Sequence, residues 1–210
     1  MKTTFNLKML FSFAVLFVFG QIGFAQITGS AHDFSGQTWN SSGEICIVCH
    51  TPHNAKTGIS DAPLWNHTLS TATFTLYSST VSGTMNATVG QPDGSSKLCL
   101  SCHDGTVALA SFTGGGTSTA KMTGSELIGT DLSNDHPVSF TYDAALATAD
   151  GGLKNPTTAT GVVGTIDATM LISHKMQCSS CHDVHNSSGI AKLLVKSNSA
   201  SALCLTCHVK

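Results

Sequence analysis

All eight cysteines of this 210-residue chain fall in one five-residue pattern, used four times. The copies are Cys46-Ile47-Val48-Cys49-His50, Cys99-Leu100-Ser101-Cys102-His103, Cys178-Ser179-Ser180-Cys181-His182 and Cys204-Leu205-Thr206-Cys207-His208. A disulfide scaffold accounts for an even number of cysteines in an exported chain, but not for a histidine after every second one. Cys₄ zinc sites built from paired Cys-x-x-Cys motifs leave the four trailing histidines equally unexplained.

The pattern is the attachment signature of c-type haem. Two thiols spaced on one helical turn reach the two vinyl groups of a single porphyrin, and the histidine that follows turns to the iron. Four copies predict four covalently attached haem c groups. Cys46 and Cys49, Cys99 and Cys102, Cys178 and Cys181, and Cys204 and Cys207 supply the thioethers. His50, His103, His182 and His208 are the proximal iron ligands.

Each iron has a sixth position, and six further histidines are present: His32, His53, His67, His136, His174 and His185. That surplus favours bis-histidine coordination over methionine, which would raise the potential. His53 and His185 each follow a proximal histidine by three residues. Neither can cross to the far face of its own haem, so each is expected to serve a neighbouring one. His136 precedes Pro137, which holds its backbone extended and its side chain outward as a ligand. His67 follows the apolar-aromatic stretch Pro63-Leu64-Trp65-Asn66, and His32 lies near the mature N-terminus. His174 is too close to its own motif to reach round it easily, and is the first choice for a non-ligand. The expected metal ligands are therefore His32, His53, His67, His136 and His185 together with the four proximal histidines.

The N-terminus reads as a secretory signal. Met1 to Lys8 carries two lysines and no acid, Met9 to Phe19 is almost unbroken apolar sequence, and Gly23-Phe24-Ala25 offers small residues at a cleavage point. Residues 1–25 are assigned to it and residues 26–210 to a single tetrahaem domain. The apolar run is shorter than the ~20 residues a membrane span needs. Ten lysines and no arginine argue against nucleic acid as a partner, since arginine carries much of phosphate and base readout.

Only 7% of residues are aromatic and 10% charged, too few for an ordinary core and its ion pairs. Ser/Thr/Gly-rich stretches such as Gly114 to Thr119 show little helical periodicity. The expected fold is a small multihaem cytochrome c: mostly ordered loops, short helices at the haem motifs and little strand, packed around four covalent haems. Thr73 to Tyr77 alternates apolar and polar residues and is the candidate short strand. The clearest helix is expected around Ala200 to His208. Porphyrins replace the missing aromatic core, so folding is expected to be coupled to their attachment.

Several stretches together resemble the outer-surface tetrahaem cytochromes that polymerise into conducting filaments (OmcE type). They are Ser30 to Ser35, Gly43 to Asn54 (GEICIVCHTPHN), Pro63 to His67 (PLWNH), Asn134 to Val138 (NDHPV), Cys178 to Asn186 (CSSCHDVHN) and Ala202 to Lys210 (ALCLTCHVK). The resemblance implies four closely packed bis-histidine haems, with one iron ligated by a histidine from the adjoining subunit. Carried onto this chain, His32 is the candidate donor, because it sits on an N-terminal arm ahead of any haem. The implied function is electron transfer along an extracellular homopolymer whose haem row continues from subunit to subunit. Other redox proteins or extracellular acceptors are its expected partners. The alternative in the same class is a soluble periplasmic shuttle. A multihaem reductase needs an iron with an open position, which four His-terminated motifs and six spare histidines disfavour, so no enzymatic activity is expected.

Overall fold

A computed structural model describes residues 26–209; the expected signal peptide lies outside the described residues. Loops and turns dominate. The Cys46–Val48 3₁₀ turn is followed by α1 (Ser79–Ser82), α2 (Gly94–His103), strand β1 (Phe140–Thr141), α3 (Ala144–Asp150), α4 (Ile166–Met170) and β2 (Lys175–Met176). The Cys178–Ser180 3₁₀ turn and α5 (Cys204–Cys207) complete the main elements. The two strands pair antiparallel, Phe140 opposite Met176 and Thr141 opposite Lys175.

Each cysteine motif occupies one helical turn. In three of them the histidine amide closes the turn onto the carbonyl of the first cysteine: His50 to Cys46 at 2.8 Å, His182 to Cys178 at 3.0 Å and His208 to Cys204 at 3.0 Å. The second motif forms the last turn of α2.

Thr73 to Tyr77 keeps its alternation but not a ladder. Phe74 packs with Leu100 and Leu132, while Thr75 makes a single parallel bridge to Asp131. One bridge is all that a neighbouring loop of irregular backbone offers, so no sheet propagates. α3 is a helix the motifs did not announce. Asp143 caps it by accepting the Leu146 N–H at 2.8 Å, and Gly151 ends it at φ 70°.

Two small apolar clusters stand in for a core. The larger gathers Phe140, Tyr142, Ile166, Met170 and Met176 with Leu203 and Cys207 of the fourth motif. The smaller is Phe74, Leu100 and Leu132 around the second.

The second and third motifs are locked together by polar contacts. Ser95 and Ser179 hydroxyls lie 2.6 Å apart, and Cys178 N–H donates to Ser96 Oγ at 3.0 Å. Ser96 Oγ in turn bonds the Gln177 carboxamide oxygen, which also accepts from Ser139 Oγ at 3.1 Å. Gln177 Nε2 donates to Asp93 at 2.8 Å, and the Lys175 ammonium pairs with the same carboxylate. Gly94 permits this approach: its φ is +46°, and a Cβ there would stand 3.1 Å from Gln177 Nε2.

Candidate haem sites

Three of the four proximal histidines share one local device. The Nδ1 of His50 lies 2.6 Å from the Pro63 carbonyl oxygen, that of His103 2.8 Å from Glu126 O, and that of His182 2.9 Å from Lys192 O. A carbonyl only accepts, so Nδ1 carries the proton and Nε2 keeps its lone pair. This is how metal-ligating imidazoles are commonly oriented. His136 shows the same contact, Nδ1 to Pro137 O at 3.0 Å.

Three proximal rings face a second imidazole across a gap. His50 faces His185 with centroids 6.2 Å apart and planes at 14°; His103 faces His32 at 6.2 Å and 55°; His208 faces His136 at 6.4 Å and 78°. Two imidazoles ligating one metal ion from opposite sides, each with a bond of about 2 Å, have centroids about 6 Å apart. The gaps are thus too wide for ring contact and match an iron between the rings. Burial, with the charge of His103 adding to it, pushes His32 down to about 4. Burial also lowers His136, with His208 contributing. Both rings are therefore neutral near pH 7, the form that ligates.

The remaining histidines are placed differently. His32, the candidate donor to another subunit, lies instead opposite His103 of the same chain, because the 26–40 arm folds back through successive turns. His67 is 1% exposed, and both ring nitrogens face carbonyls, Nδ1 to Thr68 O at 2.8 Å and Nε2 to Ala108 O at 3.1 Å. It lies beside Cys102 Sγ at 3.7 Å and opposes no proximal histidine. His53 is exposed. His174 is 71% exposed and bonds Asp167 at 2.7 Å. Among the described residues no second ring faces His182 in this way.

The eight thiols are all free. Among the described residues no group of three or more His, Cys, Asp or Glu side chains converges as a zinc site would require. Burial, with Cys49 and Asp104 adding, pushes Cys102 up to about 12. Cys178 is drawn down to about 7 by a bond to Cys99. Thiols of successive motifs thus adjoin, the first motif to the second and the second to the third. Two thiols and a histidine on each turn, opposed at three of the four turns by a second imidazole, fit covalent haem. The carbonyls that orient the proximal rings belong to loops 10 to 23 residues from their histidines, and no sequence signal identified them.

A family described as the doubled CXXCH motif matches residues 172–210, which contain the third and fourth copies. No curated protein matches the chain. The doubled motif and the loop-rich fold support a multihaem c-type cytochrome, a class that carries covalent haem and works in electron transfer. No helix among the described residues is long and apolar enough to cross a membrane.

Proposed function

We propose that this chain is a tetrahaem electron-transfer protein and the subunit of an extracellular cytochrome filament. The observation that carries the reading is the set of three opposed imidazole pairs at 6.2 to 6.4 Å, each built on a cysteine motif. In this reading His50 and His185, His103 and His32, and His208 and His136 hold three irons, and His182 holds the fourth. Each haem, when bound, supplies a one-electron iron couple, and the chain sets its spacing, orientation and potential. The loop carbonyls of Pro63, Glu126 and Lys192 hold the proximal rings in one tautomer. The cysteines fix each porphyrin to its turn, and the serine and glutamine contacts between the second and third motifs keep adjoining sites in register.

Among the described residues, the His182 site is the one that no second imidazole faces. A histidine from an adjoining copy completes it in the filament, and exposed His53 is the better donor now that His32 is engaged. This same observation favours one second reading, a reductase with an open iron at His182.

The test is a haem count by pyridine haemochrome, electron paramagnetic resonance of the oxidised protein, and electron microscopy. Four low-spin haems and long regular filaments are expected. Isolated copies held below the assembly concentration should show one site able to bind carbon monoxide, lost on assembly. Carbon monoxide binding that persists in assembled material favours the reductase. Uniform small particles with four closed sites favour a diffusing shuttle.

A further inference from the structure

Four lysines near the third and fourth motifs fall into two groups. Lys175 is paired with Asp93 and Lys192 with Glu126 at 3.6 Å, so both charges are offset by a carboxylate. Lys154 and Lys196 instead dock on neutral oxygens of the fourth motif. Lys154 Nζ donates to the Leu205 carbonyl at 2.6 Å, and Lys196 Nζ to Thr206 Oγ1 at 3.0 Å. Leu205 and Thr206 are the two residues between Cys204 and Cys207, so both ammonium groups rest on the turn that carries one porphyrin.

The surroundings keep them there. The Tyr142 Oη hydroxyl donates to Lys154 O at 2.6 Å, and Lys154 N–H donates to Cys207 O at 2.8 Å. Asp150, at the end of α3, accepts from Gly152 N–H at 3.1 Å and from Asn86 at 3.3 Å, and bonds neither lysine. At the second motif the sign is reversed. Asp104, 4% exposed, directly follows His103 and accepts from Thr106 N–H at 2.7 Å and Thr106 Oγ1 at 2.8 Å, with Ser70 bonded to its other oxygen.

A positive charge held close in a low-dielectric setting favours the reduced, less positive iron. We propose that Lys154 and Lys196 make the haem on Cys204 and Cys207 the highest-potential site of the chain, the point at which electrons collect. The inference rests on the tetrahaem reading. It gives the haem row a direction that the attachment motifs alone do not.

Potentiometric titration of the fully haem-loaded protein tests it, with the fourth haem identified as the one whose spectrum His136→Met changes. The double variant Lys154→Gln, Lys196→Gln is expected to keep four haems and to lower the highest midpoint. The expected change is about tenfold in the reduction equilibrium, 59 mV for a one-electron couple. Arginine at both positions should restore it. Unchanged midpoints, or a shift confined to a haem that His136→Met leaves alone, overturn the proposal while the four-haem reading stands. No spectral response to His136→Met removes the His136–His208 pairing through which the fourth haem is read and overturns the proposal, while fewer than four haems in the unaltered protein overturns both. Should the double variant lose a haem, Lys196→Gln alone is read in the same way, since it gives up only a bond to a hydroxyl.

Discussion

At the scale of the residue, the opposed imidazoles make sharp predictions. On the proposed tetrahaem reading, His185→Ala should leave four haems attached, because thioethers hold them, and convert one low-spin iron to high-spin; resonance of the oxidised protein at low temperature reads this directly. His67→Phe should leave every haem low-spin, since both its ring nitrogens are turned to carbonyls. A new high-spin signal in that variant would return His67 to the ligand set. Asp93 carries a pH prediction. Burial alone would raise its carboxyl, but the bonds from Lys175 and Gln177 hold it below its ordinary value. A depressed folded value means that the contribution is present above the unfolded pKa, about 4, and is lost as pH falls through the folded one. The thermal midpoint of the haem-loaded protein should therefore fall below about pH 4, and less steeply in Asp93→Asn. Asp93 is 40% exposed at its side chain, so solvent screening limits the effect to about 1 kcal/mol or less.

At the scale of the element, the short helices are held by their ends and by what docks on them. Gly94→Ala places a Cβ at positive φ and against the Gln177 amide. It should destabilise the protein by about 1–2 kcal/mol, checked by denaturant titration followed at the haem absorbance. Ser96→Ala removes a fully buried hydroxyl that accepts from Cys178 N–H and bonds Gln177. The expected cost is about 1–3 kcal/mol, with the third motif the first to lose haem occupancy by mass spectrometry. The helical turns at Cys46, Cys99, Cys178 and Cys204 were legible in the sequence, because thiol spacing and the following histidine demand one turn. α3 was not. Its cap, Asp143, and its terminator, Gly151, are present, but the short apolar run between them packs only when Phe140, Tyr142 and Met176 arrive from elsewhere.

At the scale of the whole molecule, two apolar clusters of modest size cannot by themselves order a chain with this much loop. The chain made without haem attachment should therefore lack a cooperative thermal transition, whereas the loaded protein should show one; circular dichroism in the far and near ultraviolet separates the two. A sharp transition in the haem-free chain would show that the loops carry their own stability.

The chemistry of the sites was written in the sequence because it is local. Thioether attachment needs two thiols and a histidine within five residues, and that pattern is visible without a fold. A surplus of histidines available as second ligands was legible too. Their pairing was not. His32 with His103, His50 with His185 and His136 with His208 lie 71, 135 and 72 residues apart, and nothing in the intervening loops encodes such meetings locally. Only the tertiary structure turns His32 inward, turns His67 onto carbonyls, and rests Lys154 and Lys196 on the fourth motif. These are long-range choices, made by which buried polar groups find partners when the loops close.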